Sequence, residues 1–182
     1  MVEEVAQQPS RNPESNRWSS EVETTPRVPE ERALAPVSKG PFGGLENVAG
    51  IGIDVVGITA FAEQLEQPGT RFAKAFTPGE RRAARSGAGS EAESLAARWA
   101  AKEAVIKAWS STRYGQEEVI DPARVDLREI EVRTDAWGRP AIRLHGAVAD
   151  SIGDYTVLVS LSHDESADVA AAFIVLQEKP ST

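Results

Sequence analysis

The chain has 182 residues, 41% of them hydrophobic, with a formal net charge of −8 at pH 7, two histidines and no cysteine. Its length allows one modest core, and no apolar run approaches membrane-spanning length, so we expect a soluble protein without a membrane partner. The acidic balance disfavours a nucleic-acid binder, which needs a basic face. Without cysteine, disulfides and thiolate zinc sites are excluded, and any metal must be held by oxygen ligands.

Residues 1–46 differ in composition from the rest of the chain, with scattered prolines, serines and glutamates and no period long enough to build a core. We expect a disordered N-terminal extension that ends at the stretch "KGPFGG". A partner-binding tail, a mistaken start site and a dispensable leader are alternatives. The segment has neither region of a secretion signal, which predicts a cytoplasmic protein. The folded domain is predicted at 47–177, followed by a tail at 178–182.

The stretch "GIGIDVV" (50–56) is predicted to form a buried strand with an acid in it. Its branched residues alternate with Gly50, Gly52 and Asp54, so they share one face while Asp54 lies on a face cleared by glycine. One interpretation is that the Asp54 carboxylate caps the next helix near Thr59. The glycines do not fit a dinucleotide-binding fingerprint, because they lie within the strand rather than between a strand and a helix.

Several helices are predicted next, each with a start or stop signal. Apolar residues four apart mark one helix before "QPG" and another around 72–76. A third begins at "TPGE", where Thr77 is the N-cap and Glu80 the acid of a capping box. Ser90 and Glu93 are predicted to form a second capping box, which opens a long helix that ends near Trp109.

The C-terminal half is predicted to consist mainly of strands. The stretches "REIEVRT" and "PAIRLH" alternate around the turn "DAWGRP", which is typical of a hairpin. A short helix is expected near 147–152, before two apolar strands, "TVLVSLS" and "VAAAFIVL". One strand, a block of helices and then mostly antiparallel strands predict an α+β fold, a mainly antiparallel sheet packed against a long central helix.

The long helix, "SLAARWAAKEAVIKAW", has small alanines opposite its bulky stripe, which predicts packing on most sides. Arg98 and Lys102 flank the stripe on one side, and Glu103 and Lys107 flank it on the other. A surface ion pair between Glu103 and Lys107 is the simpler interpretation. The alternative is a site in which Asp54 and Glu103 bind Mg²⁺ and the three nearby bases neutralise phosphates.

Five stretches resemble the holo-acyl-carrier-protein synthase family of 4′-phosphopantetheinyl transferases, in their order and spacing, over about 47–176. They are "GIGIDVVGITAFAE", "FTPGE", "LAARWAAKEAVIKAW", "WGRPAIRL" and "VSLSHDESADVAAAF". The resemblance implies transfer of 4′-phosphopantetheine from coenzyme A to a serine of an apo acyl carrier protein, with Mg²⁺ and release of adenosine 3′,5′-bisphosphate. It also implies a role in fatty acid biosynthesis.

The resemblance assigns roles to the charged residues of the strand and the long helix. It implies that Asp54 and Glu103 are magnesium ligands, set against a strand face left bare for the metal and the pyrophosphate. Lys107 matches the lysine that contacts the pyrophosphate and steadies the leaving group. Arg98 and Lys102 resemble the family's other phosphate-facing bases. Glu103 is also the candidate base for the serine proton.

Further residues match the nucleotide end of coenzyme A. His163, in "SLSHD", matches the family's histidine at that end. Gly138, Arg139 and Pro140 resemble the turn that abuts the adenosine. His145 matches nothing in the family and is predicted to be structural.

The resemblance also predicts partners and assembly. It implies a cyclic homotrimer with coenzyme A between neighbouring subunits. The expected carrier-docking region has only Arg71 and Lys74 as bases, so docking is expected to be less electrostatic, through Phe61 and its neighbours, or fitted to a carrier domain of a larger fatty acid synthase. Two other classes remain open, a non-catalytic module that binds coenzyme A or a carrier protein and a structural adaptor.

Overall fold

A computed structural model describes residues 47–87, 89–117 and 125–179. The predicted disordered extension, residues 1–46, lies outside the described residues, as do residues 180–182 of the predicted tail. Asn47, the first described residue, is hydrogen-bonded to the other end of the domain: its carbonyl accepts from the backbone N–H of Glu178 at 2.8 Å. Within these ranges no helix is both long and apolar enough to cross a bilayer.

The order of elements confirms the predicted α+β fold. The hairpin lies where the alternating stretches "REIEVRT" and "PAIRLH" predicted it, and the long helix is the longest described element. In chain order the elements are β1 (Val48–Gly57), α1 (Ile58–Glu66), α2 (Arg71–Lys74), α3 (Pro78–Ser86), α4 (Glu91–Ser111), a 3₁₀ turn (Leu127–Glu129), β2 (Ile130–Thr134), β3 (Pro140–Leu144), α5 (Gly146–Ile152), β4 (Thr156–Asp164) and β5 (Val169–Gln177).

The strands form two antiparallel groups. A three-stranded sheet has the order β1-β5-β4, and β2 pairs with β3 as a separate hairpin. In the larger sheet Asp54 on β1 lies opposite Ala172 on β5, and His163 on β4 lies opposite Ala170. The central strand β5 therefore holds the two strands that carry predicted site residues at opposite edges.

Helix α4 is the centre of the core, as its alanine-rich pattern predicted. Six alanines of this helix, between Ala96 and Ala108, are buried, and Leu95 and Val105 are fully inaccessible. Because alanine adds little bulk, sheet and helices can approach α4 from several sides at once. Packing around one helix thus fixes where the charges of α4 emerge.

The glycines of β1 serve helix packing, which corrects the expectation of a bare strand face. A Cβ atom at Gly52 would lie 2.0 Å from the carbonyl oxygen of Ala104, and one at Gly50 would lie 2.3 Å from that of Ala108. The backbone of α4 therefore covers this face and leaves no room there for a metal with a pyrophosphate. Glycine is required because only a strand without side chains allows the helix this close.

The opposite face of β1 is open, although the strand was predicted to be buried. Its three branched residues share one face, as the alternation predicted, but they are more than half exposed. Two further large apolar side chains of the same sheet are also exposed. We call this group the open sheet face, and it consists of Ile51, Ile53, Val55, Leu158 and Phe173. A group of this size is more than the scattered apolar residues of an ordinary surface.

Candidate active site

Asp54 and Lys107 form the ion pair at the centre of the candidate site. Asp54 follows Gly50 and Gly52 on the face of β1 that α4 covers, so its side chain emerges beside the helix. The Lys107 ammonium donates to Asp54 Oδ1 at 2.7 Å, with 15% of the Asp54 side chain and 54% of the Lys107 side chain exposed. The Asp54 end of the pair thus lies at the contact between β1 and α4, and the Lys107 end is exposed to solvent.

Asp54 does not cap helix α1, so that interpretation is wrong. The cap comes from Asp168, in the turn between β4 and β5. Its Oδ1 accepts hydrogen bonds from the backbone N–H and the hydroxyl of Thr59, both at 2.8 Å, and its carbonyl accepts from the N–H of Ile58. Asp168 has a φ of 53°, a backbone conformation that aspartate tolerates better than most residues. With the cap supplied by Asp168, Asp54 faces α4.

Asp54, Glu103 and Lys107 line one cavity of about 380 Å³, which we call the first cavity. Glu103 and Lys107 share a face of α4 because they are four residues apart. Phe61, Phe72 and Trp99 form an aromatic wall on the other side. Phe61 is only 2% exposed, which overturns its suggested role as a surface contact for the carrier protein.

The two carboxylates of the first cavity suit a magnesium ion. Mg²⁺ is held in proteins by one or two carboxylates, with water and substrate phosphate at its remaining positions. No cluster of three or more potential His, Asp or Glu ligands occurs in the described part of the chain. Asp54 already holds a cationic group, the Lys107 ammonium, in this structure. Asp54 and Glu103 therefore fit a Mg²⁺ ion whose remaining ligands are water and substrate phosphate.

Lys102 lies in the core, which contradicts its predicted role as a phosphate-facing base. Its side chain is fully buried, and the ammonium donates to Glu80 at 3.0 Å and to the carbonyls of Leu127 and Ile130 at 2.9 and 2.5 Å. Burial lowers the pKa of Lys102, and the charge of Glu80 opposes this shift. Lys102 therefore joins α4 to the start of the β2–β3 hairpin.

Three of the four predicted nucleotide-end residues, Gly138, Pro140 and His163, line a second cavity, of about 300 Å³. Arg98, predicted as a phosphate-facing base, lines the same cavity. Arg98 is 7% exposed and donates to the carbonyl and the hydroxyl of Ser94. Its Nε has no hydrogen-bond partner within the described ranges, and burial lowers its pKa. A guanidinium stays charged even so, and the cavity wall is therefore positive.

Arg139 differs from its neighbours in the turn, because it does not line the second cavity. Its Nε donates to Asp135 at 2.6 Å, and its guanidinium lies over the Trp137 ring at 4.9 Å. Bonds from the backbone N–H and side chain of Arg139 lower the pKa of Asp135. Arg139 thus stabilises the hairpin turn, and the structure does not place it where the adenosine role was expected.

His163 contacts a residue that sequence reasoning treated only as a helix cap. Its Nδ1 lies 2.6 Å from Oε1 of Glu93. The predicted capping box of α4 is only half formed, because Ser90 Oγ accepts from the N–H of Glu93 at 3.1 Å while the Glu93 carboxylate is directed to His163. The two residues are 70 positions apart, and no local pattern links them. His145, which was predicted to be structural, has its Nε2 3.3 Å from Oε2 of Glu131.

The two cavities lie on different sides of α4. Glu103 belongs to the first cavity and Arg98 to the second, and residues five apart are about 140° apart around a helix with 3.6 residues per turn. One chain therefore presents the residues predicted for the metal and pyrophosphate on one side and those predicted for the nucleotide on another.

Comparison with known proteins identifies the class that this fold and site define. Residues 50–173 match the family described as the 4′-phosphopantetheinyl transferase superfamily. The holo-[acyl-carrier-protein] synthase of Mycobacterium tuberculosis is 55% identical over 130 residues, which are 71% of this chain and 97% of the relative. The chain therefore belongs to the 4′-phosphopantetheinyl transferase superfamily, as the sequence motifs predicted.

Solved structures agree with this assignment. The Chronobacterium ammoniagenes ACPS–CoA complex is 48% identical with a TM-score of 0.67, covering 71% of this chain and 97% of that chain. The Mycobacterium tuberculosis acyl carrier protein synthase is 49% identical with a TM-score of 0.59, covering 72% and 99%. The α+β fold is therefore the fold of the acyl carrier protein synthases.

Proposed function

We propose that the chain transfers the 4′-phosphopantetheine group of coenzyme A to a serine of an apo acyl carrier protein or carrier domain, in fatty acid biosynthesis. The relatives' names, holo-[acyl-carrier-protein] synthase and ACPS–CoA complex, support this reaction and its substrate. The observation that carries it is the convergence of Asp54, Glu103 and Lys107 on one cavity, since these are the residues that the family motif assigns to the reacting phosphates.

The reaction is a phosphoryl-type transfer. The serine oxygen bonds to the β-phosphorus of coenzyme A, the bond from that phosphorus to the oxygen bridging the two phosphates breaks, and adenosine 3′,5′-bisphosphate leaves with the bridging oxygen. Charge increases on the phosphate oxygens, so catalysis depends mainly on positioning and neutralisation. Asp54 and Glu103 would hold Mg²⁺, which when bound polarises the phosphate oxygens as a Lewis acid.

Lys107 and Glu103 are assigned to the two proton-related steps, stabilisation of the leaving phosphate and removal of the serine proton. The Lys107 side chain is half exposed at the cavity and its ammonium is held by Asp54, so it can donate to the departing phosphate. Glu103 is half-buried on the same face of α4 and is the acceptor that we assign to the serine proton. A carboxylate acting only as acceptor suits this step, because the serine must lose its proton as it attacks.

We further propose that the active unit is a homotrimer in the cytoplasm. The open sheet face exposes five large apolar side chains, whose burial against neighbouring subunits would be favourable. The two cavities on different sides of α4 support a composite site. In a cyclic assembly the first cavity of one subunit can adjoin the second cavity of the next, so that coenzyme A lies between them.

Mass spectrometry of an apo carrier protein incubated with coenzyme A and Mg²⁺ tests the function. We expect the carrier to gain the mass of one phosphopantetheine group, and we expect no gain with chelator or with carrier whose acceptor serine is alanine. Binding of coenzyme A without any mass gain, across several carrier proteins, would indicate the alternative, a non-catalytic binding module.

A further inference from the structure

The contact between Glu93 and His163 joins the first turn of α4 to the edge strand β4 at the second cavity. We propose that Glu93 is a positioning residue, whose carboxylate fixes the tautomer and orientation of the His163 ring so that Nε2 faces coenzyme A. This inference rests on the proposed function, because it takes coenzyme A as the ligand of that cavity. Neither residue contacts the reacting phosphates in this assignment.

The geometry determines which ring nitrogen is presented. The Glu93 side chain is 9% exposed, and its Oε1 lies 2.6 Å from Nδ1 of His163. An ionised carboxylate only accepts hydrogen bonds, so Nδ1 must carry the proton. The His163 side chain is 46% exposed and lines the cavity with Arg98. Nε2 is therefore the nitrogen available to a ligand, and the ring cannot turn without losing the short bond to Glu93.

A second observation indicates that Glu93 is committed to this contact. Glu80, at the same N3 position of α3, closes its capping box by accepting from the N–H of Thr77 at 2.8 Å. Glu93 has the same opportunity at Ser90 but makes only the backbone half of the box. The Glu93 carboxylate thus contacts His163, 70 residues away, and does not accept a hydrogen bond from the backbone at the start of its own helix.

Gly89 provides the space that the Glu93 carboxylate occupies. A Cβ atom at Gly89 would lie 2.6 Å from Oε2 of Glu93, and Gly89 has a φ of 111°, which side-chain-bearing residues rarely adopt. A side chain at position 89 would therefore displace the Glu93 carboxylate from its present place. By contrast, His145 and Glu131 form a longer contact of 3.3 Å, and neither residue lines the second cavity.

Nuclear magnetic resonance of the imidazole nitrogens tests the positioning directly. The chain has only two histidines, so His163→Ala assigns the signals and His145 serves as the internal reference. We expect neutral His163 to be protonated at Nδ1 in the wild type and in Glu93→Gln, whose amide oxygen still accepts. In Glu93→Ala we expect protonation to shift toward Nε2. An unchanged His163 tautomer in Glu93→Ala would overturn the proposal.

Steady-state kinetics test whether the positioning matters for the coenzyme. We expect Glu93→Ala to raise the KM for coenzyme A about tenfold, the effect of losing one hydrogen bond to a charged group, with little change in kcat. Glu93→Gln should retain most of the affinity. The double variant Glu93→Ala/His163→Ala should be no worse than His163→Ala alone, because Glu93 acts through the ring.

Glu91→Ala is the matched control, since Glu91 lies in the same helical turn but pairs with Arg85 at 3.0 Å, away from the cavity. It should leave the KM for coenzyme A unchanged. An equal rise in Glu91→Ala, or additive effects of Glu93→Ala and His163→Ala, would assign the effect to helix capping and overturn the inference. An unchanged KM for coenzyme A in His163→Ala would also overturn the inference. The proposed function would be unaffected by that result, because it is tested by the transfer activity of the wild type.

Discussion

Lys107 on α4 donates a hydrogen bond to Asp54 on β1 at 2.7 Å, although the two residues are 53 positions apart in the sequence. The contact exists because Gly50 and Gly52 let the helix backbone lie directly on the strand. The next residue on that face is Asp54, so the acid emerges where Lys107 and Glu103 leave the helix. The geometry of the candidate site is therefore a consequence of glycine packing in the core.

Removing either carboxylate of the first cavity should abolish transfer without unfolding the protein. We expect Asp54→Asn and Glu103→Gln to lower kcat/KM by about 10²-fold or more, since each replaces a charged oxygen ligand of the proposed Mg²⁺ with a neutral amide. Asp150→Asn, an exposed change on α5, is the control and should have no effect. Rates are measured over a range of Mg²⁺ concentrations beside melting curves. Near wild-type transfer by either variant at limiting Mg²⁺ would contradict the metal assignment.

The glycine packing of β1 predicts a sharp contrast between two Gly→Ala changes. Gly52→Ala should destabilise the fold by about 3 kcal/mol or more, because the new methyl group meets the Ala104 carbonyl at 2.0 Å. Gly57→Ala, on the same strand, meets nothing closer than 3.9 Å and should change stability by less than about 1 kcal/mol. Urea unfolding measures both. Equal effects would mean that α4 does not rest on β1 as described.

Two lysines five positions apart on α4 should respond in opposite ways. Lys102→Met leaves Glu80 as a buried charge without its partner and should cost about 3–5 kcal/mol of stability. Lys107→Met removes a partly exposed pair and should cost less than about 1 kcal/mol, but it should abolish most of the transfer activity. Thermal melting and the transfer assay together separate the two roles. Stable, inactive Lys102→Met would restore its assignment as a phosphate-binding base.

The sequence predicted the element order and the class of site but not the origin of its geometry. The capping box at Thr77 and the alternation of the hairpin are local patterns, so they were predictable. The function of Gly50 and Gly52 depends on which helix lies against them, and the burial of Lys102 depends on Glu80 and two distant carbonyls. Asp168 caps α1 from a turn more than 100 positions away. Such contacts are fixed by tertiary packing, which a single sequence does not display.

Deleting the N-terminal segment should leave the folded domain intact. The interactions of Asn47 with Glu178 hold the start of β1, so a chain that begins at residue 47 keeps this end of the sheet. We expect the melting temperature and the rate of transfer to a separate carrier protein to stay nearly unchanged. Loss of folding on removal of residues 1–46 would show that the domain begins earlier.

A composite site between subunits predicts that two variants with impaired transfer can restore each other. Glu103→Gln damages the first cavity, and His163→Ala damages the second, so each homotrimer has the same defect at every interface. If neighbouring subunits each contribute one cavity, a mixed ring contains some interfaces that join an intact first cavity to an intact second one. Unfolding and refolding the two variants together should therefore restore part of the wild-type activity.

The readout of this mixing experiment is transfer activity compared with the sum of the separately refolded variants, beside native mass spectrometry to count mixed trimers. Glu103→Gln mixed with Lys107→Met is the matched control, because both changes damage the first cavity and no mixed ring of the two contains an intact one. Recovery specific to the first mixture requires that the cavities of one active site come from different chains. Confirmed mixed trimers with no recovery would place the whole site within one subunit, and the two cavities on either side of α4 would then act separately.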